Sequence, residues 1–471
     1  MGYNTNKIRK SMFALLFFLG FFTSCNTETG DNPVLFPEEH WLMYEDPIQA
    51  GWSAEGIKNA RARYDEMGSA SFMVIEKGKV VVAWGDYQRK YMCHSIRKSF
   101  LSALYGIHIA QGLIELDYTL DQLGIEDTHN LTNNEKKATI GDLLKARSGV
   151  FHPAAYETDA MKASRPERGT YDADEFWYYN NWDFNTLCTI MEEFTMTPVF
   201  EDFEENIADP LGMQDFEAAD GYYHLEAEHS KYPAYPFRMS ARDMARFGLL
   251  YLNKGDWDED MIVPDEHVNE SIRSYSDTGN KDGLSAGYGY LWWVSNPGNE
   301  NSMFAAKGHG GHVIAIDPET EMVFVHRTDT YTSKRIPYNE VAMLIQLFKE
   351  AKTNAPQPNP TYIPLPELPS KYVFIDLEES EVESLFTGNY TTDNGEVDIM
   401  LENDKLIWRE AKNGRTFELG IINDSSLMML DSEVPVNFSN QAMPGSIEFV
   451  RDSLMGNWGE VIVGKEAVEG L

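Results

Sequence analysis

The stretch SIRKSFLSALYGIHIAQGL, Ser95–Leu113, decides the reading of this 471-residue chain. Ile96, Phe100, Ala103, Leu104 and Ile107 recur at helical spacing, so a buried helix is predicted here. Ser95-Ile96-Arg97-Lys98 opens it and is the one Ser-x-x-Lys in the sequence. On a helix, side chains at i and i+3 share a face. At the helix start Ser95 meets free N–H groups and the positive end of the macrodipole, which favour developing negative charge. Apolar turns behind it would bury Lys98, and desolvation lowers a lysine pKa, which fits the amine to act as a base. Taken alone, the same pair also describes a capping serine and a surface lysine.

Outward from this helix, the flanks read as strands. Phe72–Asp86 (FMVIEKGKVVVAWGD) holds two β-rich runs around Lys77-Gly78, a hairpin signal. A second hairpin spans His312–Arg327, turning at Asp317-Pro318-Glu319, and strand signals also mark Tyr288–Val294. Helices and loops fill 115–255, with Ser240–Leu252 amphipathic, and a helix is expected over 338–350. Strands at both ends of a helical middle imply an α/β sandwich: an antiparallel sheet flanked by helices and carrying a helical region. Asn354–Pro369 then packs six prolines into 16 residues and reads as an extended linker. Past it come short alternating runs (397–401, 406–408, 417–422, 446–450 and 460–463), with turn signals at Asn394-Gly395 and Asn413-Gly414. The expected layout is 34–353 catalytic, 354–379 linker and 380–471 a small all-β domain.

Charge and cysteine usage narrow the function. Lys and Arg number 39 against 75 Asp and Glu, a net charge of −36. So acidic a surface repels phosphate backbones, and no nucleic-acid partner is expected. Residues 1–25 read as an export signal: Lys7, Arg9 and Lys10, then apolar Met12–Phe22, too short to span a bilayer, then Phe22-Thr23-Ser24-Cys25. A Cys behind small residues at this place resembles a bacterial lipobox. That resemblance implies a lipid anchor on Cys25 and a lipoprotein at the cell envelope, touching membrane through its lipid alone. Cys93 and Cys188 could pair in an oxidising compartment but read more readily as buried thiols. No CxxC, HExxH or Asp-rich calcium loop is present, so no metal site is expected.

Two further elements keep the Ser-x-x-Lys pair company. FWYYNNWDFN (Phe176–Asn185) offers Tyr-x-Asn in two registers, Tyr178-Tyr179-Asn180 and Tyr179-Asn180-Asn181, while Tyr251-Leu252-Asn253 ends a helix. KGHGGH (Lys307–His312) precedes the second hairpin, where glycines admit close approach and a strand edge could donate N–H to an oxyanion. The order Ser-x-x-Lys, Tyr-x-Asn, Lys/His-x-Gly resembles the serine β-lactamase-related superfamily. Its members include class C β-lactamases, D-alanyl-D-alanine carboxypeptidases, esterases and 6-aminohexanoate-dimer hydrolases. LLKARSG (143–149), DPLGM (209–213), Ser240–Gly248 and YGYLWW (288–293) extend the resemblance over about 40–350, and KARSGVFHPAA (145–155) is most similar to the amide- and ester-hydrolysing branch.

The resemblance implies a β-lactamase/transpeptidase-like fold and an acyl-enzyme on Ser95, with Lys98 taking its proton and Tyr179 passing it to the leaving group, a chemistry that needs no metal or organic cofactor. It makes Asn181 a substrate contact and His309-Gly310-Gly311 the third motif. The N–H groups of Ser95 and His312 would form the oxyanion hole. Tyr179 is the preferred register because Asn-Trp-Asp-Phe-Asn then begins the next helix. Where most true β-lactamases carry Lys-Thr-Gly, His309 is the weaker carboxylate anchor at neutral pH. An ester or amide of a small or peptide-like substrate is therefore expected ahead of a β-lactam or a D-alanyl-D-alanine terminus. The competing non-enzymatic reading is an envelope protein that binds peptidoglycan peptides. Gly283-Leu284-Ser285-Ala286-Gly287 also matches a nucleophile elbow, but a polar loop precedes it and an aromatic strand follows, against what that motif needs.

Overall fold

The computed structural model describes residues 36–465, leaving aside 300, 333, 370–373, 393–394, 404, 412–415, 424–425, 430–433, 440–445 and 451–459. The apolar stretch Met12–Phe22 and Cys25 lie outside the described residues. Among those described, no helix is long and apolar enough to cross a membrane.

Ten strands form one sheet among the described residues. In chain order they are β1 (Leu42–Tyr44), β2 (Ser71–Glu76), β3 (Lys79–Gly85), β6 (Ser276–Asp277), β7 (Gly287–Tyr288), β8 (Trp293–Val294), β9 (Phe304–Gly308), β10 (His312–Asp317), β11 (Met322–Arg327) and β12 (Tyr362–Pro364). The spatial order is β12-β1-β3-β2-β11-β10-β9-β8-β7-β6. Two short strands, β4 (Tyr91–Met92) and β5 (Arg238–Met239), pair apart from it. The sheet is mixed: β1 runs parallel to β3 at Met43 and Val80, while the other neighbours are antiparallel. β12 comes from the proline-rich stretch expected to be linker. It takes the sheet edge beside β1, where a proline's missing N–H leaves no ladder bond unmade.

Both faces of the central strands are covered, so β2, β10 and β11 are buried along their whole length. Phe72, Val74, Ala315 and Phe324 point to one side, against helices α1 (Ala54–Met67) and α5 (Tyr338–Glu350) through Ala60, Tyr64, Leu344 and Phe348. On the other side lies α4 (Ala241–Leu252), whose Gly248 sits so near the sheet that a Cβ there would be 2.4 Å from Val323 and 3.1 Å from Ile314. Beyond α4 runs α2 (Arg97–Ala110), buried from Arg97 through His108 and wedged by Phe100 against Phe203, Phe237 and Phe247. A helix buried on all sides belongs in the middle of a domain, and its polar residues there need a reason. Here it carries one end of the site.

The C-terminal strands close into an eight-stranded antiparallel barrel. It runs from Gly388–Thr392 to Glu460–Lys465, which pair with each other at Tyr390 and Lys465. Tyr390, Val397, Ile399, Leu406, Trp408, Phe417, Leu419 and Leu427 fill it, and Val382 of the short helix Glu379–Leu385 packs with them. Closure removes every open edge that so small a sheet would otherwise expose. The barrel touches the larger body where Arg238 donates to Thr416 O (3.2 Å) and lies 5.2 Å from the Phe417 ring, and where Lys405 pairs with Glu217.

Candidate active site

The chain enters the site from β4. Cys93 N–H donates to Phe237 O (2.8 Å), and His94 then takes a left-handed φ of +50°. Such a conformation costs a non-glycine residue on the order of 1 kcal/mol and persists only where neighbours enforce it. Thr330 Oγ1 at 3.0 Å from His94 Nε2, and Arg97 Nη1 donating to His94 O at 3.0 Å, hold it. The kink launches a single 3-10 turn, His94–Ile96, which continues as α2. Ser95 therefore sits in the turn before the helix, partly exposed, with Lys98 buried one turn on.

Lys98 is the hub of the cluster. Its Nζ lies 3.0 Å from Ser95 Oγ and 2.8 Å from Tyr179 Oη, donating to both in this structure. The ring centres of Tyr179 and Phe184 stand 4.3 and 4.6 Å from Nζ. Burial, with Arg97's charge in support, pushes the Lys98 amine well below lysine's ordinary range. Burial also raises the Tyr179 phenol to about 12, so it stays a proton-carrying hydroxyl at neutral pH.

Helix α3 (Asn181–Thr195) sorts the two Tyr-x-Asn registers. Asn180 is its N-cap: Oδ1 accepts from Trp182 N–H, and Nδ2 donates to Val150 O and Asp183. Tyr178 turns into the core and donates to Met161 O. That leaves Tyr179 on the Lys98 side and Asn181 behind it. Asn181 Nδ2 donates to Tyr156 O (2.7 Å), and its buried Oδ1 has no hydrogen-bond partner among the described residues. Tyr179's ring is held by Trp293, stacked at 5.1 Å, and by the edge of Tyr288.

The third motif forms the β9–β10 turn. Gly308 pairs with His312 across it, and the N–H groups of His309 and Gly310 find no backbone acceptor among the described residues. His326 Nδ1 donates to Gly311 O (2.7 Å), so Nδ1 is the protonated ring nitrogen. Gly311 has a φ of +99°, and a Cβ there would also meet Ile336 O at 2.5 Å, so both backbone and space call for glycine. Gly308 abuts the nucleophile turn itself: a Cβ would lie 2.3 Å from Cys93 O. Gly308→Ala is therefore expected to push β9 off the turn and cut acylation by roughly 10²-fold, the scale of a 1 Å misplacement. Stopped-flow acylation rates on protein with unchanged circular dichroism check this.

His309 is exposed and accepts from Arg335 Nε at 2.9 Å, which requires a neutral Nε2. Partial desolvation of its ring against the turn, and then the Arg335 charge, lower its pKa. His312's side chain points away from the site, fully buried, with Nδ1 accepting from Arg327 Nε (2.9 Å), so only its backbone is available at the turn. Lys307 is not at the mouth. It is buried, paired with Asp282 (2.5 Å) and bonded to Ser285 Oγ (2.7 Å), with its Nζ 4.8 Å from the Trp293 ring. Ser285 is thus part of a closed ionic knot, and no strand-to-helix elbow surrounds it.

Trp182 and Trp292 are core residues, Trp182 Nε1 donating to Asp127 and Trp292 stacking near Phe247. Trp293 is the tryptophan that reaches the site. Cys93 and Cys188 are free, buried thiols. Glu226, Glu228 and His229 bring one potential metal-ligand atom each within 4.8 Å of one another. Glu226 already engages His224, His229 and the Tyr156 N–H. The sequence does not mark Arg97 or the Lys307–Asp282 pair, because the Tyr156 and Tyr235 rings beside Arg97 and the carboxylate beside Lys307 are distant in the chain and leave no local pattern.

A family model described as Beta-lactamase matches residues 57–343. Among solved structures, a candidate beta-lactamase from Bacteroides dorei DSM 17855 is similar at a TM-score of 0.50 and 13% identity, covering 64% of this chain and 100% of that one. A candidate 6-aminohexanoate-dimer hydrolase from Bacillus anthracis is similar at 0.49 and 21%, covering 66% and 90%. The octameric penicillin-binding protein homologue from Pyrococcus abyssi gives 0.46 and 16%, covering 87% and 99%. No curated protein matches the chain.

Proposed function

The chain belongs to the beta-lactamase family, a membership consistent with serine hydrolase activity, and from that premise we propose that it cleaves an ester or amide through an acyl-enzyme on Ser95. One observation carries the reading: a single buried amine bridges a partly exposed serine hydroxyl and a tyrosine hydroxyl at 3.0 and 2.8 Å. As Ser95 Oγ attacks the substrate carbonyl, its proton passes to the free amine of Lys98. The carbonyl oxygen becomes an oxyanion facing the Ser95 N–H and the β9–β10 turn, whose N–H groups stabilise it. Tyr179 then hands its proton to the departing alcohol or amine as the carbonyl re-forms and takes back the proton held by Lys98 across their 2.8 Å hydrogen bond, which leaves the amine free again. Water repeats the sequence on the acyl-enzyme and frees Ser95.

The substrate class follows from the third motif. A neutral His309 offers no charge of its own to a substrate carboxylate, which favours esters, linear amides or D-amino peptides over β-lactams. With a lipid on Cys25, such an enzyme would work at the bacterial envelope on small or peptide-like substrates.

The test is pre-steady-state hydrolysis of a short p-nitrophenyl ester by the full chain. A burst of p-nitrophenolate equal to the enzyme concentration, followed by slow turnover, is expected. Ser285→Ala should retain that burst within a few-fold, because Asp282 still neutralises Lys307. A burst that survives in Ser95→Ala, or one lost in Ser285→Ala, would refute Ser95 as the nucleophile.

A further inference from the structure

Arg97, inside the Ser-x-x-Lys motif, is fully buried yet meets no carboxylate among the described residues. Nη1 donates to His94 O, and the guanidinium carbon lies 5.2 and 5.0 Å from the rings of Tyr156 and Tyr235. Nε and Nη2 are buried and have no hydrogen-bond partner among the described residues. Burying a cation this way costs several kcal/mol, and a hydrophobic residue of similar volume would serve packing better. A charge kept at that cost calls for a reason.

The neighbouring amine supplies one. Lys98 follows Arg97 on α2, and its Nζ faces Ser95, Tyr179 and Phe184. Behind Tyr179 stand Tyr288 and Trp293, then Lys307, whose charge Asp282 neutralises, and Tyr338 over Lys307. On α3, Asp183 is taken up by Ser148 and Asn180. Tyr235 faces Arg97. No carboxylate therefore offsets Arg97 near Lys98, and a second positive charge beside it is disfavoured. We propose that the unpaired guanidinium of Arg97 acts through Lys98, keeping that amine uncharged and ready to accept the Ser95 proton. Burial is the larger cause of the shift on Lys98 and Arg97's charge the second. This inference rests on the acyl-enzyme reading above. Arg97 touches neither substrate nor reacting atoms and is a positioning residue in the electrostatic sense.

The sign is fixed by the charge. Removing Arg97's charge raises the pH at which Lys98 gives up its proton, so the acid limb of acylation moves upward. The experiment is the pH profile of burst rate with the p-nitrophenyl ester for the full chain, Arg97→Met and Arg97→Lys. Arg97→Met should shift the acid limb up by about one unit, a tenfold loss at the wild-type midpoint that recovers in alkaline buffer. Arg97→Lys, which keeps the charge, should leave the limb in place even if its plateau falls. A loss in Arg97→Met that is equal at every pH would show a packing role and overturn the proposal. So would a limb that moves as far in Arg97→Lys. If Arg97→Met does not fold, Arg97→Gln takes its place under the same outcomes. A wild-type burst that does not depend on Ser95 and Lys98 would instead sink the hydrolase reading, and this inference with it.

Discussion

Ser95→Ala is expected to abolish the p-nitrophenolate burst and to lower ester turnover by about 10⁴-fold or more, the scale seen when a nucleophile is removed from a cooperating set. The residual rate would come from binding and the oxyanion donors alone. Lys98→Ala should cost nearly as much, because Ser95 Oγ then has no base: among the described residues, Lys98 Nζ is the amine within 3.0 Å of it. The two losses should not add, since the residues act as one unit. The double variant should match either single variant within a few-fold in stopped-flow and steady-state rates. Additive losses would mean that the two residues work in separate steps.

The second large effect concerns stability. Arg327, at the end of β11, is fully buried and fastens three separate segments. Nη1 donates to Met239 O on β5 (2.7 Å), Nη2 to Tyr91 O (2.7 Å) and Met92 O (3.2 Å) on β4, and Nε to His312 Nδ1 (2.9 Å) on β10. Arg327→Met removes all of these donors and strands buried carbonyl oxygens at about 1–3 kcal/mol each. Loss of the buried charge's own desolvation cost offsets part of that. The net expectation is a destabilisation of about 3–5 kcal/mol in the unfolding of the larger body, read from urea denaturation. Because β4 leads directly to Cys93, His94 and Ser95, the burst rate should fall as well, even in folded protein. A variant within about 1 kcal/mol of the wild type would show that water or neighbouring donors replace the guanidinium.

How far the sequence reaches depends on the range of the interactions. Ser95 and Lys98 are legible because their relation is one helical turn, and apolar spacing marks the helix. The His94 kink is not legible, because a positive φ at histidine is enforced by Thr330, far away in the chain. The choice between Tyr178 and Tyr179 is settled by Asn180's capping bonds, which a pattern of aromatic and amide residues only hints at. Tyr288–Val294 reads as one strand but breaks into two, with Leu291 at φ +63° making the turn between them. The acid-rich run beginning at Glu378 looks like a solvated face. Its glutamates are indeed exposed, on a short capped helix whose one buried side chain, Val382, packs into the barrel core. Barrel strands Ser426–Met429 and Val434–Ser439 carry too weak a local signal to be legible, the second because Pro435 interrupts it. Closure of the barrel depends on a pairing between its first and last strands, which no local pattern encodes.

The most direct test of the central claim is to treat the folded full chain with a fluorophosphonate probe and locate the adduct by peptide mass spectrometry. The expected result is one stoichiometric adduct on the peptide containing Ser95, lost in Ser95→Ala and strongly slowed in Lys98→Ala. An adduct on another serine, or no adduct while a reference serine hydrolase labels fully, would contradict it.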